Sequence, residues 1–269
     1  MYEDLTAPLP DHARYLERIA YQGPIRHTQE TLSELVSAHQ KTVPFENYDL
    51  CELGRPISLG IADLYDKVVL RRRGGYCFEL NAVFASLLTA LGFEVWPVLA
   101  RIYRAASGEQ PSPPSHRVNL VCLDGRKYFL DVGYGGPMPS GALVVEEGTV
   151  QEIRGFRYRF ERRPFNRWIL FRENSAKESE PMIGFTEAPS EAVDFVTPNF
   201  YTSTNPESMF VTGRIANIRF DDGLASIGNG RFHLLQGADD TSTDIESKEQ
   251  EFALLKEYFG IDLVTGPGC

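Results

Sequence analysis

The sequence predicts an α+β protein in which helices come first, strands follow and a mixed α/β lobe ends the chain. Three observations carry that order. Apolar residues recur at helical spacing through the first ninety residues. From Phe93 the spacing changes to alternation, in runs rich in β-branched and aromatic residues. After Pro181 strands and one helical repeat mix.

Thr28 is placed to cap a helix whose buried side carries Leu32, Leu35, Val36 and His39, and Pro44 ends it. A second helix is expected over Ile61 to Arg72, stopped by Gly74-Gly75. A third begins near Cys77 and carries Leu80, Phe84, Leu87, Leu88 and Leu91 along one stripe, with Gly92 just past its end. These leucines read as core. The runs FEVWPVLARIY, HRVNLVCL, KYFLDVGYG, FRYRFERR and RWILFREN then read as strands of a barrel or sandwich. Asp124-Gly125 marks a hairpin between two of them. The segment TPNFYTSTNPESMF reads as loop, with further strands near Phe210–Phe220 and Arg231–Gln236. A last helix aligns Phe252, Leu255 and Phe259 and stops at Gly260. The divisions expected are 1–92, 93–185 and 186–269.

With 42% hydrophobic and 24% charged residues, the balance is that of a soluble globular protein. No run approaches the roughly 18 apolar residues of a membrane helix, and the acidic N-terminus lacks the order of a secretory signal. A cytoplasmic protein without membrane contact is expected. The net charge of −10 disfavours a nucleic-acid partner, because such binding rests on clustered Lys and Arg. A small anion stays possible at a local N–H-rich site. The five histidines show no metal-ligand spacing, so no metal is expected. Cys51, Cys77, Cys122 and Cys269 show no CxxC spacing, and Cys122, inside VNLVCL, reads as a buried inert thiol.

Cys77 differs by position. It follows Arg71-Arg72-Arg73-Gly74-Gly75-Tyr76 and opens a helix, where unsatisfied backbone N–H groups favour a thiolate. The two glycines allow a sharp turn beside the sulfur. His116 heads a strand directly after the Pro-rich stretch Gln110–Ser115, where it can face a cleft as a base. If Asp124-Gly125 is a two-residue turn, Leu123 pairs with Arg126 and Val118 lies opposite Asp131. His116 and Asp131 then become diagonal neighbours on one face, about 7–8 Å apart. A three-residue loop would separate them unless a bulge restored the phase. Nucleophile, base and orienter are then all available.

RGGYCFELN (Arg73–Asn81), PFENYDL (Pro44–Leu50) and DVGYGG (Asp131–Gly136) resemble the signatures of the arylamine N-acetyltransferases. The spacing from Cys77 to His116 to Asp131, 39 and then 15 residues, is similar to that family's triad. The resemblance implies an N-terminal helical bundle, a central β-barrel and a C-terminal α/β lid around a cysteine-protease-like Cys-His-Asp core. It also implies a ping-pong acetyl transfer from acetyl-CoA to an arylamine or arylhydrazine through Cys77. Carried over, Phe45 stacks on the arene, although the residues alone leave a core phenylalanine equally open. Tyr201 and Ser208 match CoA contacts, with Ser112 and Ser115 as weaker ones. Arg73 pairs with Glu46, and Gly133, Gly135 and Gly136 admit the cofactor to the backbone. The alternatives are an amide synthase or other acyltransferase using a different acyl donor, a thiol hydrolase, and a non-catalytic binding protein.

Overall fold

Residues 2–103, 112–173 and 178–263 are described by the computed structural model of the chain. Gln110 and Pro111 of the Pro-rich stretch, Asn174 at the end of RWILFREN, and Cys269 lie outside them.

The N-terminal part holds α1 (His12–Arg18), α2 (Gln29–Thr42), β1 (Phe45–Glu46), α3 (Tyr48–Cys51), α4 (Ile61–Tyr65) and α5 (Cys77–Ala90). The Thr28 hydroxyl accepts from the Thr31 N–H at 3.3 Å and so satisfies one of the free donors at the start of α2. Leu32, Leu35, Val36 and His39 are all buried, as the spacing predicts. The expected second helix is shorter than predicted as an α-helix, because α4 widens into a π turn over Asp66–Leu70, with the Arg71 N–H reaching back five residues to the Asp66 carbonyl. α5 also departs from the prediction: it is buried on nearly every side instead of along one stripe. Helices lie beneath it and strands above, so Phe78, Leu80, Phe84, Leu87 and Leu88 are all fully enclosed. Each such side chain contributes about 1.5–3 kcal/mol. The bend after α5 falls on Gly92, whose φ of +86° suits glycine.

Among the described residues, eight strands follow in one antiparallel sheet. They are β2 (Glu94–Ile102), β3 (His116–Leu123), β4 (Arg126–Leu130), β5 (Leu143–Val144), β6 (Gln151–Ile153), β7 (Phe156–Arg163), β8 (Arg167–Glu173) and β9 (Ser179–Thr186). Their spatial order is β5-β4-β3-β2-β9-β8-β7-β6. The two edges come back together. The Gln151 amide donates to the Val144 carbonyl at 2.9 Å and accepts from its N–H at 2.7 Å, which nearly closes a barrel. Leu123 pairs with Arg126 across Asp124-Gly125, and both turn residues have positive φ, the two-residue turn that the sequence predicts. Cys122 is half-buried, not enclosed as expected: it sits near the end of β3, next to the Asp124-Gly125 turn, beyond the fully buried Val118 and Leu120 of the same face.

The last part contains α6 (Val196–Thr204), α7 (Met209–Thr212), β10 (Ala216–Arg219), β11 (Gly223–Gly228), β12 (Arg231–Gln236), β13 (Asp239–Asp244) and α8 (Lys248–Phe259). The segment 197–210, read as loop, is largely helical. Pro198 falls in the first turn of α6, where a missing N–H costs nothing, and Ser208 caps α7 by accepting from Phe210 N. The strand expected from Phe210 therefore starts only at Ala216. β10 pairs with β1, so the second sheet runs β1-β10-β11-β12-β13 and ties the two chain ends together.

Candidate active site

RGG stands where two backbones touch. A Cβ at Gly74 would meet the Pro44 carbonyl oxygen at 2.0 Å, so only glycine fits. Gly75 O accepts from Glu46 N at 2.9 Å, which sets the PFE segment beside the start of α5. Glu79 reaches back to the Tyr76 N–H at 3.0 Å and also accepts from Lys67 at 2.7 Å. Arg73 pairs with Glu46 at 2.7 Å and with Asp49 at 3.2 Å. The family-derived pairing of Arg73 with Glu46 is thus present, within a buried network that fixes the first turn of α5.

Cys77 is the first residue of that turn and is 3% exposed. Its Sγ lies 3.9 Å from the Ser115 carbonyl oxygen, directly before His116. His116 Nε2 is 2.6 Å from Asp131 Oδ2, both groups being buried. The diagonal relation across the hairpin holds. The strand pairing itself ends at Asn119 with Leu130, one residue short of Asp131. Burial alone would lower the His116 pKa. The facing Asp131 charge and its hydrogen bond, with Cys77 adding to them, reverse this and raise it to about 10.

Asp131 is held from several sides. Its Oδ1 accepts from Asn81 Nδ2 and from Gly133 N, each at 2.8 Å, and its carbonyl accepts from Gln40 at 3.0 Å. Asn81 Oδ1 in turn accepts from Val132 N at 3.0 Å. The sequence reading missed Asn81 as a functional residue. The signal was present, since Asn81 lies four residues after Cys77 and shares its helix face.

These groups open on a cleft of about 320 Å³. Cys77, His116, Phe45, Ser112 and Ser115 all line it, with Tyr134, Phe210, Ile102 and Ile215 as apolar walls. Tyr134 stands edge-on to His116 with the rings 5.9 Å apart, and Phe210 lies 6.2 Å from Phe45; neither was foreseen. Tyr201 and Ser208 are not in the lining. Tyr201 is 57% exposed on α6, and the Ser208 hydroxyl donates to the Thr202 carbonyl at 2.6 Å. Two of the glycines answer to the protein itself and not only to a ligand. A Cβ at Gly133 would sit 2.8 Å from Cys77 Cα, and one at Gly135 would sit 2.5 Å from the Phe45 ring.

Comparison with known proteins gives a consistent set of likenesses. A family model described as N-acetyltransferase matches residues 28–266. The arylamine N-acetyltransferase of Mycolicibacterium smegmatis is 33% identical over 257 residues, covering 94% of this chain and 92% of that protein. The solved structure of the arylamine N-acetyltransferase from M. tuberculosis superposes with a TM-score of 0.87 at 33% identity, covering 93% of this chain and 94% of that one. The Mycobacterium marinum arylamine N-acetyltransferase, solved in complex with CoA, gives 0.85 at 32% identity, covering 93% of each chain.

Proposed function

The chain belongs to the arylamine N-acetyltransferase family, and from that premise we propose that it carries the acetyl group of acetyl-CoA as a thioester on Cys77 and passes it to an arylamine or arylhydrazine. The observation that supports this most is the His116–Asp131 contact of 2.6 Å beside Cys77, at the floor of an apolar cleft.

Acetyl-CoA supplies an activated acetyl thioester. In the first half-reaction the Cys77 thiolate attacks its carbonyl carbon, and the His116 imidazolium gives its proton to the departing CoA thiolate. His116 is then neutral, with Asp131 fixing the ring and its tautomer. In the second, the amine attacks acetyl-Cys77, His116 takes the amine proton, and Cys77 leaves as thiolate. Splitting one transfer into two steps is what an activated nucleophile achieves. The raised His116 pKa favours the ion pair at neutral pH. Phe45 and Phe210 offer the acceptor an aromatic wall, and Ser112 and Ser115 line the same cleft and could meet the donor. Tyr201 and Ser208 keep a place in this reading only if CoA extends beyond the cleft toward α6 and α7. In this division of labour, residues 1–92 hold the nucleophile, 93–185 the base and its orienter, and 186–269 the cover. No helix among the described residues is long and apolar enough to cross a membrane.

Incubation with acetyl-CoA and no amine is expected to leave one acetyl group on Cys77 by mass spectrometry, and none in Cys77→Ser. Absence of the adduct overturns the reading, and steady thioester loss without amine points to a hydrolase instead.

A further inference from the structure

Residues 131–140 form no helix or strand, yet they supply three parts of the site. Asp131 meets His116, Tyr134 stands edge-on to His116, and Gly135 packs against the Phe45 ring. An irregular segment lacks the ladder of backbone bonds that fixes a strand, so its carbonyls are held from elsewhere. The holders come from three distant elements. Gln40, on α2, donates to the carbonyls of Asp131 at 3.0 Å and Pro139 at 3.1 Å. Arg219, on β10, donates to the Gly136 carbonyl at 2.9 Å and to the Ser140 hydroxyl at 3.1 Å. Arg172, on β8, reaches the Pro137 carbonyl at 3.4 Å.

These holders divide the segment. Its Asp131 end is tied by Gln40 and by Asn81, which also takes Val132 N. The bond nearest Tyr134 and Gly135 on the other side is the one Arg219 makes to the next residue, Gly136. Packing gives that part little support. Phe45, Tyr134 and Gly135 line the cleft, and the same three line a second gap of about 20 Å³, bounded elsewhere by Gln40, Met138 and Arg219. A wall between two spaces depends on its bonds more than a fully packed one does. Among the described residues Arg219 forms no ion pair, and both of its side-chain hydrogen bonds go to this segment. Bonds from a guanidinium are stronger than neutral ones.

We propose that Arg219 is a positioning residue for the amine acceptor. By holding Gly136 it sets how far the wall of Tyr134, Gly135 and Phe45 stands into the cleft, and so which arene fits beside acetyl-Cys77. This rests on the thioester reading above. Asp131 has its own holders, so the first half-reaction, which needs only the thiolate, His116 and Asp131, does not depend on Arg219. The second does, because the acceptor ring lies against that wall. Without Arg219 the wall can retreat into the gap, and a narrow acceptor is then held loosely.

The test compares the two half-reactions on the full chain, with near-UV circular dichroism as the fold check. Acetylation of Cys77 by acetyl-CoA is timed by mass spectrometry. The second half-reaction is read as kcat/KM for the amine, which in a two-step transfer reports that half alone. In Arg219→Met, acetylation should stay within about twofold of wild type, while kcat/KM for aniline falls about tenfold. Aminonaphthalene should lose no more than about threefold, because its second ring fills the space the wall gives up. Arg219→Lys keeps the charge and a donor and should sit about threefold below wild type for aniline; it carries the test if Met does not fold. In a folded variant, no loss, an equal loss for both amines or an equal loss in both half-reactions overturns the proposal. A wild-type chain that acetyl-CoA does not acetylate on Cys77 overturns the thioester reading, and this proposal with it.

Discussion

His39 and His116 are both buried, at 0% and 3% exposure, and each is the imidazole of a small polar group enclosed by apolar side chains. Their surroundings push them in opposite directions. His39, on α2, meets the Tyr15 hydroxyl at 3.0 Å and stands edge-on to Phe84, with its Nδ1 unpartnered. Burial, helped by the Arg18 charge, lowers its pKa to about 3. His116 suffers the same burial but faces a carboxylate, and its pKa rises to about 10. The depth of a histidine therefore says little about its charge; the group opposite decides it. One region of the chain uses an imidazole as a neutral packing element, the other holds one ready to carry a proton beside a sulfur.

The largest effect is expected on exchanging the deciding group. Asp131→Asn keeps the shape and removes the charge. Acetyl transfer should fall on the order of 10³- to 10⁴-fold, because the imidazolium loses its partner and the wrong tautomer is held. His39→Leu removes the other imidazole, and transfer per folded molecule should stay at the wild-type level. A His39 variant that lost activity as steeply as the Asp131 variant would erase the distinction.

Asn81→Ala probes how rigidly the carboxylate must be aimed. It takes one donor from Asp131 Oδ1 and leaves the Val132 N–H without its acceptor. A misplacement of the base of about 1 Å can cost up to 10²-fold, so kcat should fall roughly 10- to 10²-fold with KM little changed. Full activity would mean that Gly133 N and Gln40 suffice to place Asp131.

The relation between His116 and Asp131 was legible because it depends only on alternation and on a two-residue turn, both written into HRVNLVCLDGRKYFLDV. The start of α5 was legible for a local reason too, since the glycine pair ahead of it marks a place where a backbone comes close, and a Cβ at Gly74 would collide with the Pro44 carbonyl. Features that depend on distant partners were not. Asn81 shows its use only once β3 and the loop after β4 lie against α5, and Arg117 looks like a solvent-facing strand residue until Phe195, 78 positions later, covers it. The segment around Phe200 failed for a different cause. Its Pro, Ser, Thr and Asn content is that of a loop, yet Pro198 lands in a first turn and Ser208 at a cap, where the same residues support helix.

The two histidines should also shape stability at opposite ends of the pH scale. Above the ordinary histidine value of about 6.5, His39 is neutral folded or unfolded and contributes no pH dependence. Below it the unfolded chain takes up a proton that the folded chain refuses until about pH 3, so stability declines as pH falls. One proton is worth about 1.4 kcal/mol per pH unit, so the decline at pH 5 is roughly 2 kcal/mol. His116 has the reverse sign. Its raised folded pKa gives a contribution fully present below about pH 6.5 and lost as pH rises through about 10. Urea unfolding midpoints across pH should therefore slope at both ends. His39→Leu is expected to flatten the acid slope and lower the plateau, because the Tyr15 hydroxyl loses its partner at a cost of about 1–3 kcal/mol. His116→Gln should flatten only the alkaline slope. An acid slope unchanged in His39→Leu would mean that carboxylates, and not this imidazole, set the acid limit.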